Sequence, residues 1–247
     1  MTDQTVLQDI SNPKGEDPTR SLLNLIELGT FDLDLAAWCV SRVSRGASWI
    51  TGSGPGGIGK TTTMSSLLSF APGDLDFYLA LPEQVSDVPP GRHCVISNEL
   101  SDHPPPTYLW DQDLRDFFAL SQDHVLVANV HADDLDEIHA QIVGECQVPE
   151  NQFRAIDLWI FICLEGGNPP GERRIKDNTT RRVINKIFYS DGSGPHRSVF
   201  APGSGLTAAA PRDPEHERHC RRFLTEALDG PERSIIDVRQ RFLDWGS

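Results

Sequence analysis

The sequence predicts an α/β fold: a mostly parallel sheet flanked by helices, with a small helical appendage at the C-terminal end. Three observations predict it. Residues 54–61 read Gly-Pro-Gly-Gly-Ile-Gly-Lys-Thr, the G-x-x-x-x-G-K-[ST] loop that joins a strand end to a helix start around a phosphate. Apolar runs of strand length recur at 77–81, 93–100, 124–130 and 156–164, and they are largely continuous rather than alternating, as strands covered on both faces are. Segments with helical spacing lie between them. A chain of 247 residues is long enough for one sizeable core and short for two.

Taken in order, residues 1–19 carry Asn12-Pro13 and Asp17-Pro18 with little periodicity and read as a flexible arm. Residues 21–28 form a short helix stopped by Gly29; Asp32 opens a second over 33–45, with Gly46 past its end. Trp49-Ile50 ends a buried strand. The phosphate loop follows, and 61–70 is the helix behind it. Glycines let the backbone curl so that several N–H groups face one anion, and the helix N-terminus adds its positive end. The loop residues Gly54, Pro55, Gly56, Gly57, Ile58, Gly59, Lys60, Thr61 and Thr62 are therefore the candidate nucleotide-binding set. Lys60 reaches the outer phosphates of ATP and the Thr61 hydroxyl takes Mg²⁺.

Ala71-Pro72-Gly73 stops that helix, and 77–81 is a strand ending at Pro82-Glu83. The strand 93–100 places Glu99 at its C-terminal end, where a carboxylate can hold the Mg²⁺ shell or orient water. Pro104, Pro105 and Pro106 form an exposed loop and 109–120 a helix; Asp113, on that helix, is the weaker alternative to Glu99. The strand 124–130 delivers His131 to the sheet edge at which open α/β sheets bind ligands. Another helix spans 134–143. Strands 156–164 and 182–189 are joined by a Gly/Pro/Arg-rich loop over 166–181. Residues 202–211 are a small-residue linker. Two helical stripes, on Cys220, Phe223, Leu224, Ala227 and Leu228 and on Ile235, Val238, Phe242 and Trp245, build the appendage. The division expected is an arm over 1–19, a phosphate-loop domain over 20–200 and the appendage over 201–247.

Composition limits the partners. The five cysteines are scattered and sit mostly in apolar segments, so they read as buried thiols of a reducing compartment. The N-terminal residues have neither the basic nor the apolar region of a signal peptide, and no apolar run is long enough to span a membrane. A net charge of −14 argues against a general nucleic-acid surface. Asp outnumbers Glu 23 to 13, and there are 4 lysines against 18 arginines, a balance that suits work in concentrated salt; the alternative is an ordinary acidic bacterial or archaeal protein.

The order of these segments resembles the type II/IV secretion and pilus-assembly ATPase superfamily, its archaeal members in particular, from about residue 20 onward. Residues 22–37 look like the helix pair before that family's Walker A strand, and 54–63 like its Walker A. Residues 77–83 fall where it has an acidic box, 95–100 where it has Walker B, and 123–134 look like its His box. Ala155-Ile156-Asp157-Leu158 and Arg181-Arg182-Val183 resemble its closing strand pair.

The resemblance implies a RecA-like P-loop ATPase that uses ATP and Mg²⁺, with Glu99, His131 and Glu83 as catalytic residues and Thr61 and Glu99 at the metal. It implies a cytoplasmic protein, peripheral at the inner face of the membrane. The partners implied are copies of itself, a hexamer in that family, or a full-length motor, together with an integral membrane platform protein. The chain departs from the family in several places. It lacks the large N-terminal domain and keeps only Glu83 of the acidic box. The arginine-bearing stretch before Walker B is shortened, and Asn98 stands for the Walker B glycine. The alternative is a nucleotide-binding switch or adaptor with little turnover. A small-molecule kinase fits poorly, because the Arg-rich loop lies between two hairpin strands.

Overall fold

The computed structural model describes residues 3–11, 20–103 and 107–246. The proline loop at 104–106 and the arm residues 1, 2 and 12–19 lie outside the described residues, as does 247. In chain order the elements are α1 (Asp3–Ser11), α2 (Leu22–Glu27), α3 (Leu33–Val43), β1 (Trp49–Gly52), α4 (Lys60–Leu68), β2 (Asp76–Leu79), β3 (His93–Ile96), α5 (Asp111–Ala119), β4 (Val125–Val130), α6 (Leu135–His139), α7 (Glu150–Arg154), β5 (Leu158–Leu164), β6 (Arg182–Tyr189), β7 (Arg197–Ala201), β8 (Gly205–Leu206), α8 (Pro214–Leu228) and α9 (Ile235–Trp245).

The strands form one sheet in the order β2-β3-β4-β1-β5-β6-β7-β8. The first five are parallel neighbours and the last three are added antiparallel. β4 is inserted between the phosphate-loop strand β1 and β3, the strand that leads to Glu99. That insertion is the RecA-like arrangement of a P-loop fold, and it brings the end of β4 beside both loops.

Burial explains the continuous apolar runs. Along β1, Trp49 packs into one core cluster and Ile50 into the other; along β4, Val125 and Val127 face the first and Leu126 and Ala128 the second. β5 divides Leu158 and Ile160 from Trp159 and Phe161 in the same way. Each strand therefore buries both faces, and no polar alternation is available to it.

The two helices after the sheet pack into the first cluster through Cys220, Phe223, Leu224, Ala227, Ile235 and Val238. Arg239 of α9 is buried and donates to the carbonyls of Leu68 (3.3 Å) and Ala71 (2.8 Å). It thereby adds a donor beyond the C-terminal end of α4 and sets a cation against that helix's negative end.

Three expectations are corrected. Residues 3–11 of the supposed arm are helical, because Val6, Leu7 and Ile10, at helical spacing, all enter the core. β7 and β8 extend the sheet across the expected boundary at 200; they are short, and only Val199 and Phe200 of β7 are buried, which leaves little pattern to read. α6 stops at His139 and the chain continues to Glu145 as a wider π-helical turn.

Candidate functional site

β1 ends at Gly52, which lies against β5 with no room for a side chain: a Cβ there would lie 2.9 Å from the Phe161 ring. The loop then curls with Gly57 at φ +73° and Gly59 at φ +108°, conformations that side chains avoid, and α4 begins at Lys60. Ile58 is buried in the first core cluster and Pro55 is also buried, so both anchor the loop. Gly54 donates its N–H to Asp133 Oδ1 (2.9 Å), and Gly56 donates to Arg173 O (2.9 Å). The N–H groups of Gly57, Ile58, Gly59, Lys60, Thr61 and Thr62 have no acceptor among the described residues. These six successive donors at the start of a helix form a cradle for an anion.

The charged centre lies on the inner side of that cradle. Lys60, 7 % exposed, places its amine 3.1 Å from Glu99 Oε1, 3.1 Å from His131 Nδ1 and 3.4 Å from Ser53 O. His131 Nε2 lies 2.9 Å from the same Glu99 oxygen, and its Nδ1 lies 3.0 Å from Gly54 O. With the ring neutral, Nδ1 is an acceptor for Lys60; with the ring protonated, Nδ1–H donates to Gly54 O instead. His131 thus couples the Glu99 carboxylate to the first glycine of the phosphate loop.

Glu99 stands three residues past the end of β3. It is fixed there by the chain on both sides: Leu100 N–H donates to Asn129 O, and Leu109 N–H to Glu99 O. Burial acts to raise its carboxyl pKa, but the hydrogen bond from His131 and the charge of Lys60 win and hold it below the usual range. Burial lowers Lys60 despite Glu99 beside it. The Tyr108 phenol is pushed up to about 12, by burial first and by the neighbouring Glu99 carboxylate second.

Thr61 Oγ1 accepts from Asn129 Nδ2 at 3.4 Å, and the same amide donates to Asn98 O at 2.9 Å. Asn129 Oδ1 is buried with no donor. Hydroxyl, amide and carboxylate oxygens are the hard donors Mg²⁺ prefers, and that ion needs few of them when phosphate and water supply the rest. The donor-free Asn129 oxygen and the acceptor-free amides therefore fit Mg²⁺ and a polyphosphate respectively.

Glu83 is placed elsewhere. Its backbone is left-handed (φ 63°) and its N–H donates to Asp113 Oδ1 at 2.8 Å. The structure brings Glu83 and Asp113 together at the start of α5, and gives neither a contact to Lys60, Glu99 or His131 among the described residues.

Sequence reading did not single out Asn129, Asp133, Asn168 or the strap at 173–175. Asn168 ties Asp133 (3.1 Å) to Ser53 (3.3 Å), and Ile175 N–H donates to Gly56 O (2.8 Å), so the Arg-rich loop lies along the phosphate loop as a short parallel bridge. Gly57 must stay bare for this approach, since a Cβ there would lie 2.6 Å from Ile175 O. Asn129, two residues before His131 on a buried strand, was the one legible signal: a polar side chain inside an apolar run.

No protein-family model matches the chain, and no curated protein matches it. Among solved structures, the chain is similar to the crystal structure of the VirB11 ATPase from the Brucella suis type IV secretion system in complex with sulphate. The identity is 19 %, the TM-score is 0.41, and the match covers 68 % of this chain and 54 % of that one. The chain therefore matches about half the length of that structure. The fold rests on its own strand order and loop geometry.

Proposed function

We propose that this chain binds ATP with Mg²⁺ at residues 54–62 and hydrolyses its outer phosphoanhydride, as a motor of the secretion and pilus-assembly type acting on a membrane-associated assembly. The observation that carries the reading is the meeting of Lys60, Glu99 and His131 within 3.1 Å at the mouth of a complete phosphate loop. The Gly57–Thr62 amides hold the phosphates, and Lys60 exchanges Glu99 for an outer phosphate oxygen when nucleotide arrives. Thr61, Asn129 and Glu99 would hold the Mg²⁺, which would supply positive charge against that developing on the phosphates. Glu99, released by Lys60, accepts a hydrogen bond from the attacking water. Its work in this reading is to orient that water rather than to take its proton. The water oxygen attacks the γ-phosphorus, the bridging bond breaks toward ADP, and the proton leaves with the phosphate. His131, between Glu99 and Gly54, reports the filled site to β4 and α6, helped by Gln141, which donates to His131 O at 3.2 Å. The partners proposed are copies of the chain or a full-length motor, and a membrane platform protein.

The switch reading, binding with little turnover, is favoured by a different observation: Lys60 is neutralised by Glu99, and Arg173 occupies the Gly56 N–H. Glu99→Gln separates the two. It keeps the shape and hydrogen bonding but removes the charge. The motor reading expects unchanged ATP binding and turnover lower by about 10²-fold or more. Wild-type turnover near zero, unaltered in this variant and in His131→Ala, would establish the switch instead.

A further inference from the structure

The loop that joins β5 to β6 lies across the phosphate loop and is fixed there at three points. Gly56 donates to Arg173 O (2.9 Å) and accepts from Ile175 N–H (2.8 Å), a parallel bridge one residue wide. Ile175 is buried in the first core cluster. Asn168 holds the entry to the loop, accepting from Leu164 N–H (3.1 Å) and donating to Ser53 and Asp133. The backbone of 173–175 is therefore set against Gly56 before any ligand arrives.

Arg174 sits in the middle of this bridge. Its Cγ would lie 3.9 Å from a Cβ on Gly56 and 3.5 Å from one on Gly57, so its stem crosses the point where the acceptor-free amides begin. The residue is exposed, and its guanidinium has no hydrogen-bond or ion-pair partner among the described residues. That is unexpected in a chain with 36 acidic residues and 22 basic ones. Two acids of the surrounding loops are committed elsewhere: Asp133 accepts from Gly54 and Asn168, and Asp177 accepts from Thr179 and Thr180.

We infer that Arg174 is a catalytic residue supplied within the same chain, its guanidinium binding the outermost phosphate of a nucleotide held on the 57–62 amides and Lys60. The inference rests on the phosphate-site reading above and adds to it a residue that the sequence motifs do not contain. A guanidinium presents parallel N–H donors that match two phosphate oxygens, and it stays charged at any working pH. Hydrolysis redistributes negative charge over the γ-phosphoryl and bridging oxygens. A cation already aimed there lowers the barrier rather than merely adding affinity. The tethered backbone leaves only the side chain to be ordered. Arg174 neither gives nor takes a proton, and the bond changes remain those of water attack on the γ-phosphorus.

Steady-state hydrolysis and ATP–Mg²⁺ calorimetry on the full chain test it, with Arg174→Ala, Arg174→Lys and the control Lys176→Ala. Lys176 is another exposed cation of the strap and has no assigned role. All three variants should melt as wild type does. Arg174→Ala should lower kcat by about 10²-fold or more, the usual cost of one preorganised donor, and leave ATP affinity nearly unchanged. Arg174→Lys should recover little, since a point charge on a flexible stem does not reproduce the fork. Lys176→Ala should keep the wild-type rate. Unchanged turnover in Arg174→Ala, a loss confined to ATP affinity, or an equal loss in Lys176→Ala overturns the assignment. Mixing Arg174→Ala with Lys60→Ala protein decides whether the contact is made within one chain. Turnover should stay at the level of the two variants alone; a rise means that one copy's Arg174 serves another's site, which overturns the inference. Wild type that binds ATP–Mg²⁺ without turning it over also overturns it and leaves the phosphate site standing, whereas no binding at all removes both.

Discussion

At the scale of single residues, the buried lysine decides what the centre can do. Lys60 is held by a carboxylate, a ring nitrogen and a carbonyl, an arrangement that keeps its charge inside a largely dry site. Desolvation opposes that charge and the Glu99 carboxylate supports it, a support that an incoming phosphate can supply instead. Lys60→Ala should lower ATP–Mg²⁺ affinity by about tenfold or more, the equivalent of 1.4 kcal/mol or greater. The fold should survive, since His131 still pairs with Glu99. Equal affinity of wild type and variant in calorimetry would refute the phosphate-site assignment. The residues that meet here were partly legible in the sequence. Lys60 and Thr61 belong to a spaced motif, and Glu99 and His131 each follow an apolar run that had to be a strand. Asp133, Asn168 and Ile175 were not legible. Their roles depend on two loops meeting over a third, and nothing local to 133, 168 or 175 encodes that meeting. Glu83 shows the converse: the resemblance puts it at the catalytic centre, and its backbone N–H donates to Asp113.

At the scale of elements, the parallel core was readable because strands buried on both faces leave no choice of pattern. The antiparallel edge was only half readable. β6 announces itself over eight residues, whereas β7 and β8 are defined by pairing with a neighbour already in place. One ionisable group fastens the core strands at their starts. Asp157, just before β5, accepts the Ser48 N–H at 2.7 Å just before β1, and Ser190 N–H donates to Asp157 O after β6. Burial raises its carboxyl from 3.8 to about 6, against the lesser pull of the Ser48 hydrogen bond. A carboxyl with a folded pKa above its unfolded value holds its proton more tightly in the fold. Its penalty is therefore fully present above about pH 6 and is relieved as pH falls toward 4. Asp157→Asn keeps the acceptor for Ser48 and removes the titration. Relative to that variant, wild type should gain stability on the order of 3 kcal/mol between pH 7 and pH 4. Denaturant melts of both proteins across that interval check it; a constant difference between them means that folding leaves the Asp157 pKa unshifted.

At the scale of the whole molecule, the surface charge opposes the fold that the core drives. Acidic groups outnumber basic ones 36 to 22, and the excess is spread over the chain rather than gathered at the candidate site. Many of the ion pairs that offset it are exposed, such as Arg221 with Asp34 and Arg233 with Glu27. Exposed pairs contribute about 0–1 kcal/mol each, and salt weakens them. Salt also weakens the long-range repulsion among the uncompensated carboxylates, and the two effects have opposite signs. The repulsion should win, because it sums over many pairs at distances beyond contact, and these are the ones screened as the Debye length shrinks from about 30 Å at 0.01 M to about 3 Å at 1 M. The melting temperature should therefore be lowest at low ionic strength and climb with added KCl. The shape of the climb separates screening from the general strengthening of apolar burial. Screening gains most in the first few tenths molar, where the Debye length falls fastest, whereas a burial effect keeps rising steadily toward molar salt. A melting temperature flat from low to molar KCl would show that the charge imbalance costs the fold nothing. It would also remove the case for salt adaptation while leaving the nucleotide site untouched.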